Sequence, residues 1–263
     1  MTGATPGLDP ALLQALTGFS SRRPLLVALD FDGVLAPLVD DPEASRTLPA
    51  SSAALRRIAA APDLHLALVS GRTMADLSRL AGAPAGAVLV ASHGAEVDGV
   101  PTELDGPSAE LLARVHDELS RLAVDHPGTH VESKPAGAVL HTRRADRAVA
   151  DAATRLALDG PARREGVRSM QGKDVVELSV LDTDKGRALN DLRQRLGVVA
   201  VLYAGDDVTD EHALRTLKPT RGDVGLKVGP GPTAAAHRVD SPDDVSVALT
   251  ALADLLEGRT PDR

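Results

Sequence analysis

The sequence predicts an α/β fold with a mainly parallel central sheet. Three observations favour this fold: short apolar runs recur along the chain, helical patterns lie between them, and four of the five main runs end in polar or reactive side chains. Short apolar runs without alternation are typical of strands that are buried on both faces. Strands that alternate with helices form parallel sheets, and ligands bind beyond the carboxyl ends of such strands.

The elements of this predicted core follow one another in order. The strands are predicted at residues 25–29, 64–69, 87–91, 198–204 and 224–228, and the helices at 51–61, 73–80, 184–196, 210–217 and 242–256. Ser241 caps the last helix, and Asp243 and Asp244 lie in its first turn, where carboxylates are favoured. Residues 1–20 are small and polar apart from the stretch 11–16, so we expect a loosely held lead-in with about one helical turn.

The middle of the chain has a different pattern. Two helices are predicted at 109–122 and 145–158, and short strands at 129–133, 138–143, 167–170 and 175–179. This mixture predicts an α+β domain inserted between the third and fourth core strands. We therefore expect residues 1–103 and 181–263 to form the core and residues 104–180 to form the insert.

Composition excludes several classes of function. The chain has 263 residues, a net charge of −8 and no cysteine. The negative charge argues against a nucleic-acid or anionic-membrane partner, and the lack of cysteine excludes thiolate catalysis and cysteine-based metal sites. No apolar run approaches the roughly 18 residues of a membrane span, and the first ten residues lack the pattern of a secretory signal. A cytoplasmic protein is the expectation.

Aromatic residues are nearly absent, which limits how a ligand can be held. Phe19, Phe31 and Tyr203 are the aromatic residues of the sequence. Sugars and bases often stack on aromatic faces, and this chain offers almost none. A polar ligand must therefore be bound by charge and hydrogen bonds.

Asp30 and Asp32 follow the first predicted strand. Two carboxylates two residues apart at an extended chain end can face the same site, as a nucleophile with a general acid/base or as ligands of one metal. Gly33 then allows a sharp turn. A charged turn that leaves a strand is the simpler alternative for this short pattern taken alone.

Two further motifs could hold a phosphate. Ser70, Gly71 and Arg72 end the second strand, where a hydroxyl and free N–H groups can bind an anion; a helix N-cap is the alternative. Lys185 opens a predicted helix, where a cation is unfavourable for the helix dipole. Pairing with carboxylates or phosphate would explain it, and a solvated lysine is the alternative.

The segment 205–211 places four acids after the fourth core strand. Clustered hard oxygens suit Mg²⁺, and the adjacent pair after an apolar strand exceeds what helix capping needs. An acid-rich helix N-terminus is the alternative. The acids are Asp206, Asp207, Asp210 and Glu211.

Taken in order, these motifs resemble the haloacid dehalogenase (HAD) superfamily of phosphatases. Within it the chain is similar to the trehalose-6-phosphate phosphatases, on the segments 70–72, 92–96, 131–134, 172–178 and 184–186. The resemblance covers roughly residues 25–256. It implies a Rossmann-like parallel-sheet HAD core with an inserted α+β cap domain, and Mg²⁺ as cofactor.

The resemblance also implies an activity and a set of roles. The family hydrolyses trehalose 6-phosphate to trehalose and phosphate through an aspartyl-phosphate, the last step of trehalose biosynthesis. The implied catalytic residues are Asp30 as nucleophile, Asp32 as general acid/base, Ser70 and Lys185 as phosphate ligands, and Asp210, which orients Lys185. The implied metal ligands are Asp30, the Asp32 carbonyl and Asp206, with Asp207 supporting the metal or its loop.

Sugar recognition is expected from the insert and from neighbouring loops. Alternate strand residues lie on one face, which groups Glu132 with Lys134 and His141 with Arg143, and Lys173 with Glu177 if that stretch is extended. An exposed face with cross-strand ion pairs explains this spacing equally well, and the resemblance favours sugar binding. The full expected substrate-binding set is Gly71, Arg72, His93, Gly94, Glu96, Glu132, Lys134, His141, Arg143, Lys173 and Glu177.

Three other functions remain open at this stage. The chain could be a HAD phosphatase for sucrose phosphate, mannosyl-phosphoglycerate or a hexose phosphate, a non-catalytic sugar-phosphate sensor, or a phosphotransfer mutase. The expected partner is a small-molecule sugar phosphate, with no nucleic acid and no membrane. We expect a monomer, and association with a trehalose-phosphate synthase is compatible with the resemblance.

Overall fold

A computed structural model describes residues 8–260. It divides into two compact units: the first comprises the chain up to Gly99 and from Asp184 onward, and the second is Val100–Thr183. The predicted insert, residues 104–180, lies within the second unit, whose ends are a few residues further out.

The elements alternate along most of the chain. The strands are β1 Leu25–Leu29, β2 Leu64–Val69, β3 Val88–Ala91, β4 Glu96–Val97, β5 Val100–Pro101, β6 His130–Lys134, β7 Gly137–His141, β8 Arg168–Gly172, β9 Val175–Ser179, β10 Ala200–Gly205, β11 Val224–Val228 and β12 His237–Val239. The helices are α1 Pro10–Ser20, α2 Pro49–Ala59, α3 Met74–Leu80, α4 Gly106–Asp125, α5 Arg147–Asp159, α6 Lys185–Leu196, α7 Asp210–Leu214 and α8 Pro242–Leu256.

The main sheet has the strand order β12-β11-β10-β1-β2-β3-β4-β5. The strands from β12 to β3 pair in parallel, and β4 pairs antiparallel with β3. Alternate residues of β1 enter two separate apolar clusters, which shows that both faces of the sheet are covered. The predicted α/β fold with its parallel sheet is confirmed, and the carboxyl ends of β10, β1 and β2 lie side by side.

The expectation of a loose N-terminal lead-in is wrong where the structure describes it. Residues 1–7 lie outside the described part, and α1 is a regular helix whose first turn is capped by the Asp9 carboxylate, which accepts the Ala11 N–H at 2.8 Å. Leu12, Leu16 and Phe19 are buried in the core. Their spacing places them on one helical face, and the prediction missed it by considering only residues 11–16.

Two predicted boundaries also move. The fourth core strand starts at Ala200 rather than 198, because α6 ends at a left-handed Gly197 with φ 63°. Helix α7 ends at Leu214 rather than 217. The chain tightens there, with the N–H groups of Thr216 and Leu217 bonding to carbonyls three residues back.

The second unit is a four-stranded sheet with helices on one face. Its strands follow the order β6-β7-β9-β8 and pair antiparallel. Helices α4 and α5 pack on one face, where Ala138, Leu140, Val176 and Leu178 contact apolar helix residues. Strand alternation places the other residues on the opposite face. No helix within residues 8–260 has the length and apolar character needed to cross a bilayer.

Candidate active site

The first unit brings the predicted catalytic residues to one edge of its sheet. Asp30 follows β1, Ser70 follows β2 and Asp206 follows β10. Lys185 and Asp210 are the first residues of α6 and α7. The parallel order of the strands therefore places these side chains at their shared carboxyl ends, as predicted from the strand pattern.

Lys185 lies between two carboxylates. Its buried Nζ is 3.0 Å from Asp30 Oδ2 and donates to Asp210 Oδ1 at 2.8 Å. Burial alone would lower the pKa of Lys185, but the two carboxylates outweigh it and raise that pKa. The ammonium therefore stays charged and ready to bind an anion. Lys185 is therefore found at the start of this helix because it pairs with carboxylates, and not because it is exposed to solvent.

Asp210 organises the loop that follows β10. Its Oδ1 also accepts the Tyr203 hydroxyl at 2.6 Å, and its Oδ2 accepts the N–H groups of Asp206 and Asp207, each at 3.0 Å. Burial would raise the pKa of Asp210, but the Lys185 charge and these bonds lower it. With both oxygens occupied, Asp210 is suited to orient Lys185.

Three carboxylates form a cluster that could hold a cation. Asp30, Asp206 and Asp210 offer oxygens within 4.8 Å of one another. Burial, then Asp210, raises the pKa of Asp206 to about 6, and the same causes raise the pKa of Asp30 well above its usual value. Two like charges about 4 Å apart repel by roughly 4 kcal/mol at an effective dielectric constant near 20.

The cluster fits Mg²⁺ on two counts. Its donors are hard carboxylate oxygens, which Mg²⁺ prefers. Within residues 8–260 the Asp206 carboxylate receives no hydrogen bond, and Lys185 forms ion pairs with the other two acids, Asp30 and Asp210. A divalent cation would compensate the remaining negative charge.

The Asp32 side chain lies outside this cluster. Arg72 binds its two oxygens at 2.6 and 2.8 Å, and the Ser45 hydroxyl donates to it at 3.1 Å. The guanidinium also lies 5.4 Å from the centre of the Phe31 ring. Arg72, predicted to bind substrate, therefore holds the predicted general acid/base in this structure.

Asp207 is also outside the cluster. It is exposed, and its Oδ1 accepts the N–H of Val208 at 2.6 Å. This bond supports the turn between β10 and α7. Of the two roles predicted for Asp207, the geometry favours support of the loop over direct metal binding.

The turns after β2 and β3 form a close-packed pair. Ser70 Oγ accepts the Arg72 N–H at 3.2 Å, and the Ser70 carbonyl accepts the His93 N–H. A Cβ on Gly71 would lie 2.5 Å from the His93 ring, so a larger residue there would require the ring to move. Ser92 Oγ donates to Glu96 Oε1 at 2.8 Å, and the turn closes through Gly94. Glu96 is buried and supports this turn.

Four of the predicted sugar-binding residues lie on the face of the second unit's sheet that is opposite its helices. Lys134 Nζ donates to Glu177 Oε2 at 2.9 Å, and His141 Nε2 lies 2.8 Å from Glu132 Oε2. The His141 ring stacks on His130 at 4.5 Å. These contacts are pairs between residues of different strands, which is the alternative to sugar binding that the sequence spacing left open. The same contacts place polar atoms on one face of the sheet.

Two residues of this predicted set are not on strands. Strand β7 ends at His141, so Arg143 lies beyond it and is exposed. Lys173 lies in the turn between β8 and β9, where Asp174 takes a left-handed φ of 59°. The expectation that Arg143 continues the strand alternation is wrong, because β7 ends two residues earlier than predicted. The grouping of Lys173 with Glu177 required an extended stretch, and that condition is not met because Lys173 lies in the turn between β8 and β9.

Comparison with known proteins agrees with this geometry. A family model described as trehalose-phosphatase matches residues 28–244. The chain belongs to the trehalose-phosphatase family. The trehalose-phosphate phosphatase of Mycobacterium avium is 35% identical over 275 residues, covering 96% of this chain and 68% of that protein. The predicted class, a phosphoric monoester hydrolase, is confirmed.

Solved structures show that this trehalose-phosphatase family member has the expected fold. The C-terminal domain of Candida albicans trehalose-6-phosphate phosphatase has a TM-score of 0.75 and 24% identity, covering 96% of this chain and 99% of that one. The C-terminal domain of Candida albicans trehalose synthase regulatory protein has a TM-score of 0.67 and 13% identity, covering 90% and 97%. Both likenesses concern the fold alone.

The structure adds residues to the trehalose-phosphatase site that the sequence patterns did not indicate. Ser45 binds Asp32, Tyr203 binds Asp210, and the ammonium of Lys227 contacts the loop after β10. Ser45 lies in an irregular segment, so no pattern marked it. A lysine within the apolar run 224–228 was a usable signal, because lysine is almost never fully buried without a partner.

Proposed function

We propose that this enzyme hydrolyses trehalose 6-phosphate to trehalose and phosphate, with Mg²⁺ and through a phosphoryl group carried on Asp30. The observation that carries the proposal is the buried cluster of Asp30, Asp206 and Asp210 around Lys185 at the carboxyl edge of the sheet. Family membership and the similarity to named trehalose-phosphate phosphatases support the substrate.

Asp30 and Asp206 would hold the metal, together with the Asp32 backbone carbonyl implied by the resemblance. When bound, Mg²⁺ supplies positive charge that offsets the repulsion between the carboxylates and a phosphate dianion. Asp210 already uses both of its oxygens and would remain the group that orients Lys185.

The chain's own residues would act in two chemical steps. An oxygen of Asp30 attacks phosphorus, and the bond from phosphorus to the sugar oxygen breaks as Asp32 gives that oxygen a proton. Asp32 then accepts a proton from water, which attacks the phosphoryl group, releases phosphate and restores Asp30. Ser70 and Lys185 would bind the phosphoryl oxygens throughout, since developing charge there favours fixed donors.

The contact between Arg72 and Asp32 constrains the first step. The Arg72 guanidinium occupies both oxygens of the Asp32 carboxyl group, whereas Asp32 must reach the sugar oxygen to give it a proton as the sugar leaves. Substrate binding would therefore have to loosen this pair. Arg72 is then free to bind the incoming phosphate, which agrees with its predicted role in substrate binding.

We assign recognition of the sugar hydroxyls to the face of the second unit's sheet that is opposite its helices. Its paired groups are charged or polar: His141 with Glu132 is partly exposed, and Lys134 with Glu177 is more deeply placed. Such groups suit a ligand that must be bound without aromatic stacking. A monomeric state, association with a trehalose-phosphate synthase and a cytoplasmic location stay predictions.

The test is phosphate release from trehalose 6-phosphate, measured beside sucrose, glucose and glycerate-linked phosphate esters. We expect a strong preference for the trehalose ester that is lost with a chelator and in Asp30→Asn. Preference for another ester would keep the chemistry and reject the sugar assignment. Binding of trehalose 6-phosphate without release of phosphate would indicate a sensor.

A further inference from the structure

Lys227 is a buried charged residue that the proposed reaction does not use. It lies in β11, where every residue is buried, and is 3% exposed. Burying an ammonium is costly unless it is paired. Within residues 8–260 no carboxylate ion-pairs with Lys227, and the hydrogen bonds of its Nζ go to backbone carbonyls. An apolar side chain would suit the strand better, so the charge needs another explanation.

The Lys227 ammonium reaches the loop of the acidic cluster. Lys227 pairs in register with Gly205, the last residue of β10. Its Nζ donates to the carbonyl of Asp206, the next residue along, and to the carbonyl of Val228 at 2.9 Å. The lysine therefore binds the chain at the point where it leaves the sheet.

The peptide group between Asp206 and Asp207 is thus held at both ends. Its carbonyl accepts from Lys227, and its N–H donates to Asp210 Oδ2 at 3.0 Å. The preceding N–H, on Asp206, bonds to the same oxygen. On the other side, the Asp206 carboxylate packs closely against the backbone of Gly33, where an added Cβ would lie 2.0 Å from Asp206 Oδ2. This packing also restricts the position of the carboxylate.

We propose that Lys227 is a positioning residue for the metal site: it fixes the Asp206 peptide so that the Asp206 carboxylate is presented beside Asp30. The inference rests on the proposed metal role of Asp206. It extends that role to a residue on a neighbouring strand, which acts through the backbone and does not touch the substrate. Groups that orient a metal ligand in this way commonly change metal affinity by 10- to 100-fold when removed.

The experiment compares Mg²⁺ binding in Lys227→Met, Lys227→Arg and the control Lys218→Met by titration calorimetry without substrate. Lys218 is exposed in the connection between β10 and β11. We expect Lys227→Met to weaken Mg²⁺ binding at least about tenfold, Lys227→Arg to recover part of the loss, and the control to match the wild type. Unchanged Mg²⁺ affinity in a folded Lys227→Met would overturn the proposal.

A kinetic readout separates positioning from general damage. In Lys227→Met the Mg²⁺ concentration for half-maximal activity should rise by the same factor, while KM for trehalose 6-phosphate at saturating Mg²⁺ changes less than about twofold. If Lys227→Met loses the same fraction of wild-type activity at every Mg²⁺ concentration, the proposal is contradicted. If Lys227→Met fails to fold, Lys227→Leu, which also removes the N–H donor, replaces it in both measurements. Calorimetry needs no substrate, so it decides the role of Lys227 even if another ester proves to be the substrate.

Discussion

Asp210 is the residue on which most hydrogen bonds of the site converge. It binds the Lys185 ammonium, the Tyr203 hydroxyl and two loop N–H groups. The sequence motifs implied the first of these contacts. The others could not be predicted, because they depend on the backbone turn between β10 and α7, which residue types alone do not determine.

Asp206 should make metal binding depend on pH. Its pKa in the folded protein is raised to about 6, above the ordinary 3.8, because it is buried beside Asp210. The contribution of Asp206 to the stability of the metal-free protein therefore falls as pH rises from about 4 to about 6, because the unfolded chain ionises this group more readily. Mg²⁺ needs the carboxylate, so the rise in Tm that Mg²⁺ produces should be small at about pH 5 and full above about pH 7.

Thermal unfolding with Mg²⁺ or a chelator across this pH range measures the effect. Asp206→Asn is the control, and it should remove the part of the pH-dependent Mg²⁺ response that Asp206 contributes, leaving the part that comes from Asp30, whose pKa is also raised. The same increase in Tm at about pH 5 and at about pH 7.5 in the wild type would contradict the assignment of Asp206 to the metal.

Gly33→Ala should impair the site far more than it destabilises the fold. Gly33 has a left-handed φ of 64°, and an added Cβ would lie 2.0 Å from the Asp206 carboxylate. We expect at least about a tenfold loss of Mg²⁺ affinity in calorimetry, because Asp206 must move. Gly82→Ala is the matched control, since Gly82 has φ 58° with open space around it and should cost about 1 kcal/mol of stability only. Equal Mg²⁺ affinity in both variants would argue against the prediction.

Among the elements, the strands of the first unit were the most predictable and the short helical segments the least. Strand β1 and strand β11 have their predicted bounds because their apolar runs end abruptly in polar or glycine residues. Helix α1 was underestimated, since its three buried residues are spread over the whole helix. Strand β7 ends before Arg143, although it was predicted to reach residue 143, because a polar strand end carries no apolar pattern to mark it.

Helix α1 should contribute substantially to the stability of the first unit. Phe19 is fully buried in the same apolar cluster as β1 and α8. Phe19→Ala should lower the free energy of unfolding by about 3–5 kcal/mol, because a large core cavity is created. Gln14→Ala, an exposed position on the same helix, should change it by less than about 0.5 kcal/mol. Urea denaturation measures both variants. Similar unfolding midpoints for Phe19→Ala and Gln14→Ala would support a loosely held N-terminal segment instead.

Asp223 joins three elements without belonging to the active site. Its buried carboxylate binds Arg193 of α6 through two hydrogen bonds and accepts the N–H groups of Val201 in β10 and Lys218. Asp223→Ala should destabilise the fold by about 3–5 kcal/mol, since a buried guanidinium loses its partner. Glu43→Gln, which removes an exposed ion pair with Arg79, should have little effect. Chemical denaturation measures the free energy of unfolding of both variants. An equal decrease in Asp223→Ala and Glu43→Gln would contradict the structural role of Asp223.

At the scale of the whole molecule, the position of the catalytic groups follows from the strand pattern, whereas sugar recognition does not. Asp30, Ser70 and Asp206 each follow a strand of the same parallel sheet, so they must lie at the same edge of that sheet. This placement does not depend on the details of the loops. Alternation in the second unit predicts a polar face, yet cross-strand ion pairs and sugar binding both require one. The strand pattern therefore predicts where the reaction takes place, whereas residue alternation in the second unit does not identify the substrate.

The central claim is that Asp30 carries the phosphoryl group during turnover. The direct measurement is peptide mass spectrometry after acid quench of the enzyme with trehalose 6-phosphate and Mg²⁺. We predict a phosphorylated peptide with the modification on Asp30, absent in Asp30→Asn and with a chelator. Rapid phosphate release with no phosphoryl group on Asp30 at any quench time would contradict the account.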